Sequence, residues 1–236
     1  MEGKHRSRPE GEGGRALTLD LTPDDVLTTT RAVRRRLDLT RPVPRSVVAE
    51  CLEIALQAPN GSNQNAWRWI AVDDRARIER MAAIYNAGLD DFVRSLGDAV
   101  GESYVAADIP GFDRITSSVQ YLREHMHEVP VLVVPLFAGR TPGQSLFFEA
   151  SLWGSIVQAV WSLMLALRVR GLGSCWTTGH LHRQEEMAEL LRIPPEFTQV
   201  GLYPVAYTKG TEFKPGWRRP ADQVLRWNDF RGRTDS

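Results

Sequence analysis

The chain has 236 residues, 29 basic against 29 acidic, with 42% hydrophobic and 25% charged. That length suits one sizeable domain with a buried core, and the balanced charge offers no global field to nucleic acid or an anionic membrane, so any anion site must come from local clustering. Two cysteines, Cys51 and Cys175, stand far apart without metal-ligand spacing, which argues against a disulfide framework and fits a reducing cytoplasm.

Residues 1–16 are rich in Gly, Arg and Glu with no apolar core and read as a disordered tail, not a signal peptide; residues 17–236 read as one domain. Thr22-Pro23-Asp24-Asp25 predicts a helix start, with Thr as cap, Pro in the first turn and acids at the positive end of the dipole. That helix is expected to run into Arg31-Ala-Val-Arg34-Arg35-Arg36 and stop before Arg41-Pro42. Pro44 opens a second helix with Val47, Val48, Cys51, Ile54, Ala55 and Ala58 on one face, broken by Pro59-Asn-Gly-Ser. Trp67 to Val72 predicts a strand, and a further helix starts near Arg75. Residues from Asn86 to Ile115 lack a clean period and are read as a helical excursion, the place for a mobile lid.

Val129 to Ala138 predicts a buried strand whose pairing Pro130 and Pro135 limit. An apolar helix follows from about Gln144 to Arg170, ended by Gly171. Its stretch from Ala150 to Leu167 carries no charge and approaches the length of a membrane span, but Ser151, Gly154, Ser155, Gln158 and Ser162 favour a helix buried in a core or subunit interface. Ser174 to Thr178 is expected as a short strand, Arg183 to Leu191 as a helix and Gln199 to Tyr207 as a final core strand. From about 208 the chain reads as an extended arm whose Trp217, Trp227 and Phe230 pack on another surface.

Read alone, the arginine cluster is a solvated helix end more readily than a site, although guanidinium groups bind phosphate bidentately. Gly171-Leu-Gly-Ser-Cys-Trp-Thr-Thr-Gly179 lacks both the dinucleotide and the P-loop spacing; it is a backbone edge with amide donors, or a helix cap running into a core strand. His125-Met-His127 and His180-Leu-His182 have no acid or Cys at ligand spacing, so no metal site is expected. Cys175 has no identifiable partner for nucleophilic work. With no protein nucleophile evident, a cofactor must carry any chemistry, and no catalytic side chain is assigned.

In chain order these segments resemble the nitroreductase family of FMN-dependent oxidoreductases, from about Pro23 to Arg226. The motifs are Arg31-Ala-Val-Arg34, Pro42-Val-Pro44, Ala58-Pro-Asn-Gly-Ser-Asn63-Gln-Asn-Ala-Trp67, Gly171-Leu-Gly-Ser174 and Arg218-Arg219-Pro220. The resemblance implies an α+β fold with a mixed, mostly antiparallel sheet flanked by helices, in an intertwined homodimer with FMN at the subunit interface. It places Arg31, Ala32, Arg34, Asn63, Trp176, Thr177, Thr178 and Arg218 at the cofactor, with amides around Trp176 and Thr177 near the reactive edge of the ring. Several positions depart from the family pattern. Ala32 replaces a Ser, Asn60, Asn65 and Ala66 replace Ser, Gln and Pro, and Trp161 and Ser162 occupy slots commonly held by Gln and Asn.

The implied activity is reduction of FMN by NADH or NADPH, then of a nitroaromatic, quinone or similar small-molecule acceptor, by a ping-pong mechanism in the cytoplasm. Dehalogenation, ene reduction or substrate dehydrogenation on the same fold, and flavin binding without turnover, remain as alternatives.

Overall fold

A computed structural model describes residues 18–99 and 111–230. The first helix, α1 (Pro23–Thr29), is held by a reciprocal box: the Thr22 hydroxyl accepts from the Asp25 amide and the Asp25 carboxylate accepts from the Thr22 amide, both at 3.1 Å. The helix does not run into the arginines as expected. The hydroxyls of Thr28, Thr29 and Thr30 donate back to the carbonyls of Asp24, Asp25 and Val26, and Thr30 turns extended. Three consecutive β-branched residues with competing hydroxyls oppose a further turn. The arginine segment instead becomes a sheet edge, with Ala32 in a parallel bridge to Ser174 and the Val33 amide donating to the Ser174 carbonyl at 2.9 Å.

Helix α2 (Arg45–Ala55) follows Pro44 and buries Val47, Val48, Cys51 and Ala55, whereas Ile54, expected on the same face, is exposed. Then come β1 (Trp67–Val72), α3 (Arg75–Ala99), α4 (Phe112–His125), β2 (Val131–Ala138), α5 (Leu146–Val169), β3 (Leu172–Ser174), α6 (Gln184–Leu191), β4 (Phe197–Gln199), β5 (Tyr203–Tyr207) and the short α7 (Ala221–Val224). The segment read as a lid is regular helix through Ala99 and again from Phe112; residues 100–110, like the expected tail 1–16, lie outside the described residues. Of the stretch expected as a strand from Ser174 to Thr178, only Ser174 is strand, and the expected Gln199–Tyr207 strand is two short ones.

The sheet runs β1-β2-β5-β3, with β4 also pairing β2, and every pairing between these strands is antiparallel. Pro135 is tolerated in the central strand for a geometric reason. On one side β2 pairs β5 through Val131–Val133 and β4 through Leu136–Ala138, so Pro135 falls between the two partners, where its carbonyl accepts from Val200 and no amide is required. Alternate β2 residues face two cores. Val131, Val133 and Phe137 pack against α2 and α5, while Leu132, Val134 and Leu136 pack against α3, Met126 and Met187. With helices on both faces, the strand is apolar throughout.

Ser145 caps α5 and Gly171, at φ +73, ends it by turning into β3. Among the described residues α5 is the one helix long and apolar enough to cross a membrane, with a mean hydropathy of 1.5 over its best window. It packs on the sheet through Ile156, Ala159, Val160, Leu163 and Ala166. A second close approach joins α3 to the 3-10 helix Gly179–Arg183, where a Cβ on Gly88 would overlap the Gly179 carbonyl. Gly88→Ala should therefore lose about 2 kcal/mol despite the better helix propensity of Ala, lowering the thermal midpoint by roughly 4–8 °C in a melt followed by circular dichroism.

Candidate functional site

The site is built on the outer edge of β3 and its continuation. Thr177 exchanges two backbone bonds with Leu202, donating to its carbonyl at 3.1 Å and accepting from its amide at 2.8 Å. Backbone groups alternate in direction along an extended chain, so the amides of Ser174, Trp176 and Thr178 point away from Leu202, on the side where Ala32 bridges Ser174, while the Thr178 carbonyl accepts from the Leu181 amide at 2.9 Å. Ser174 meets Val33 there, and beyond that bond, among the described residues, the amides of Trp176 and Thr178 find no backbone partner. Side chains alternate as well: Cys175 and Thr177 are buried, Trp176 and Thr178 exposed. Thr177 thus departs from the sequence expectation. Both its amide and its hydroxyl, the latter donating at 2.6 Å, are committed to Leu202, so Thr177 anchors the edge and the outward donors are its neighbours.

Trp176 is 45% exposed, stands against Gly201, and donates its indole N–H to the Val200 carbonyl at 3.1 Å. The arginines diverge. Arg31 is exposed and donates to the Lys214 carbonyl at 3.1 Å, tying down the start of the C-terminal arm. Arg34 turns to the other side, donating to the Ser118 hydroxyl of α4 at 3.3 Å and reaching the Cys175 thiol. Arg35 holds the Ser117 carbonyl, and Arg36 holds the carbonyls of Lys209 and Glu212 while covering the Phe213 ring at 4.0 Å. Arg218 lies four residues beyond Lys214 in the exposed arm and donates to its own neighbour's carbonyl at Trp217. Within one chain the arginines therefore form no single cradle.

Asn63 lies elsewhere. It sits in the 3-10 turn Gly61–Asn63 with positive φ, as do Ser62 and Asn65, and its carbonyl accepts from the Asn65 side chain at 2.8 Å. The Gly61 amide donates to the Ser155 hydroxyl at 2.9 Å, which docks this loop on the N-terminal half of α5. Between loop and helix opens a cleft of about 120 Å³ with Trp67, Phe137, Phe147 and Phe148 as its aromatic walls and Asn60, Gln64, Ser151 and Ser155 as its polar groups. No charged side chain lines it.

The sequence model of the nitroreductase family matches residues 27–207, which spans the β3 edge, the arginine segment and the cleft. The chain belongs to the nitroreductase family. It is 29% identical over 167 residues to the protein DrgA of Synechocystis, covering 71% of this chain and 74% of that protein. It is 27% identical over 198 residues to a 5,6-dimethylbenzimidazole synthase of Rhodospirillum rubrum, covering 78% and 85%. Similar solved folds include an iodotyrosine deiodinase bound to FMN and 3-iodo-L-tyrosine (TM-score 0.65, 23% identity, 88% of this chain and 99% of that one). Another is a BluB-like flavoprotein of Clostridium difficile (TM-score 0.67, 15% identity, 89% and 100%). At these identities the structures establish the fold.

In this nitroreductase-family chain, sequence reasoning missed the aromatic walls contributed by Phe147 and Phe148, and it missed Arg168. The signals were present: two adjacent aromatics opening a helix, and an arginine closing that helix after an uncharged stretch from Ala150 to Leu167. Trp161, at a departure from the family pattern, lies on the solvent side of α5 and outside the cleft. Apart from Arg183, raised by its hydrogen bonds to Asp91 and Glu186, the groups with strongly displaced pKa values lie in the core. Burial pushes the Cys175 thiol up to about 12 and Cys51 to about 11, so neither is a nucleophile at neutral pH, and among the described residues no cluster suits a metal.

His180 is fully buried beside Gln199, and burial lowers its pKa from 6.5 to about 4. The folded state therefore keeps this imidazole neutral while the unfolded chain takes up a proton below pH 6.5. Its contribution is complete above 6.5 and lost as pH falls toward 4, by about 3 kcal/mol in all. His180→Gln should flatten the dependence of the urea midpoint on pH between 6.5 and 4.5; an unchanged slope would place the acid sensitivity elsewhere.

Proposed function

We propose that this chain is an FMN-dependent oxidoreductase, working as a homodimer, that takes electrons from NADH or NADPH and passes them to a small uncharged aromatic or quinone-like acceptor by a ping-pong mechanism. The observation that carries this reading is the backbone edge at Trp176 and Thr178, whose two amides have no backbone partner among the described residues and follow directly on the Val33–Ser174 bond to the arginine segment. Such an edge suits the polar rim of a flavin, and Ala32 offers a small side chain on the same edge. FMN, when bound, supplies hydride acceptance and donation. The chain's own residues then have distinct tasks. The Trp176 and Thr178 amides would orient the rim, Arg34 would place positive charge near it, and Arg31 and Arg218 would hold the phosphate.

Asn63 would contribute from the other end of α5. Ser155, which docks the Asn63 loop, and Arg168, which lies near Arg31, are thirteen residues apart, or roughly 20 Å along the helix. A second copy with its α5 antiparallel to the first would bring one chain's loop to the other chain's arginine edge. The exposed face of α5 supports this arrangement: Ala150, Gly154, Gln158 and Trp161 leave an uncharged stripe open to water in the single chain, and Trp217, Trp227 and Phe230 of the arm are exposed as well. The two cysteines, both unpaired thiols, are compatible with the cytoplasm as the place of work.

The uncharged lining of the cleft supports a neutral acceptor over an amino acid or a phosphorylated compound. A second reading, another FMN chemistry on the same fold, is favoured by the departures at Asn60, Asn65 and Ala66 in the loop and by likeness to a 5,6-dimethylbenzimidazole synthase.

Purified protein should show flavin absorbance bands or regain them with FMN; a colourless protein that cannot be reconstituted overturns both readings. Anaerobic mixing with NADH or NADPH should bleach the bands within seconds, whereas persistence of the colour favours the second reading or a flavin binder without turnover. Arg31→Ala and Arg218→Ala should each weaken FMN retention by about 1–3 kcal/mol, the cost of a charge-assisted bond, read by fluorescence titration of the apoprotein.

Trp161→Glu places a charge on the α5 stripe and should shift the sedimentation coefficient from dimer to monomer while loosening FMN. A monomeric wild-type holoprotein would refute the shared site.

A further inference from the structure

Arg168 closes the last turn of α5 with 5% of its surface exposed, and among the described residues no carboxylate is ion-paired with it. Its Nε and Nη2 donate to the Thr29 hydroxyl at 3.4 and 3.2 Å, a neutral acceptor that itself donates to the Asp25 carbonyl. The Phe213 ring lies 5.0 Å from the guanidinium carbon. Nη1 has no partner, and neither has the hydroxyl of Ser174, a residue 4% exposed.

Arg168 and Ser174 line the same small cavity together with Thr30, Arg31, Val33 and Gly173. The charges around it are one-sided. Arg36 also acts on Arg168, and the opposing carboxylate, Asp25, is already engaged by the amide and hydroxyl of Thr22. Burial is the main cause that lowers the Arg168 pKa, which is the mark of a cation held away from water without a counter-charge.

We infer that this cavity is an anion site that holds a chloride-sized ion between Arg168 Nη1 and the Ser174 hydroxyl, with Arg31 at its solvent side. Two residues that line a space of about 10 Å³, the room of a single water-sized particle, each carry a buried donor without a partner among the described residues. That size suits a monatomic anion at the inner donors; Arg31, proposed to hold the cofactor phosphate, is exposed and borders the same cavity, so the ion is assigned to Arg168 and Ser174 and does not rest on the proposed flavin chemistry. A neutral water would satisfy the same donors but leave the guanidinium charge uncompensated.

The test uses the purified full chain. Its thermal midpoint should rise by about 3–6 °C when sodium chloride, at ten times its dissociation constant, replaces sodium gluconate at equal ionic strength. Ser174→Ala deletes a hydroxyl that has no partner, so it should fold normally and lose most of that chloride-specific rise. Crystals soaked in sodium bromide should show an anomalous peak within hydrogen-bonding distance of Arg168 Nη1 and Ser174 Oγ. Equal midpoints in the two salts, an undiminished rise in Ser174→Ala, or a water or carboxylate in place of the bromide peak would each overturn the inference.

Discussion

Val33 donates its amide to the Ser174 carbonyl, and the arrangement of the site follows from that bond. It joins a segment near the N-terminus to a strand 141 residues later, and it fixes the register of both. Val33 is seated in the core and the chain turns at once, the Leu37 amide donating to the Arg34 carbonyl at 3.1 Å, so Arg31 and Arg34 have different surroundings, one under the C-terminal arm and one against α4 and Cys175. Alternation along the extended chain after Ser174 sets Thr177 against Leu202 and turns the amides of Trp176 and Thr178 outward. A one-residue slip would bury the donors and expose the anchor. This edge is held by backbone pairing, so substitutions such as Ala32 alter what it offers a ligand without altering its geometry.

Helix α5 connects this edge to everything else. Its N-terminal half carries the loop of Asn63 and the aromatic walls of the cleft, and its C-terminal end turns at Gly171 directly into β3. Arg170 binds Glu50 at 2.7 Å and fastens that end to α2, while Arg168 fastens it to α1 through Thr29. The helix is thereby rigidly oriented on one side and left open on the other. Its low charge fits both faces, since one lies on the sheet and the other is an uncharged stripe open to water.

Legibility from sequence followed punctuation. Thr22-Pro23, Pro44, the Trp67–Val72 run and Gly171 each impose a local geometry that tertiary context does not override, and the elements begin or end at or within a residue of where they indicate. The arginine segment was misread as helix because its charges resemble a helix end, while the deciding factors were three threonine hydroxyls and a strand 141 residues away. The Gln199–Tyr207 run looks continuous because Val200, Leu202 and Tyr203 are apolar or aromatic; it breaks where residues 200–202 stand opposite only Val134 and Pro135 of β2, an extra residue that shifts the register. Thr177 and Thr178 could not be assigned separate tasks from sequence, since which one faces the edge depends on register. The family pattern named candidate positions along the chain, but it did not tell which of them one chain brings together.

The ionisable groups make a last point about mechanism. Displaced pKa values commonly mark active sites; here, apart from Arg183, raised by its hydrogen bonds to Asp91 and Glu186, the large displacements fall on Cys51, Cys175, His180 and the tyrosines Tyr85 and Tyr203, core residues shifted mainly by burial. The candidate site is made instead of backbone amides, guanidinium groups and an uncharged cleft, none of which exchanges a proton near neutral pH. A protein surface of this composition orients, screens and binds, but among the described residues it has no acid or base of its own to offer. Such a division of labour suits a reaction in which a bound cofactor carries the electrons and the acceptor takes its proton from solvent or from the cofactor. On that reading pH would act on this protein chiefly through the stability of its core, by way of His180, and only weakly through the chemistry of its site.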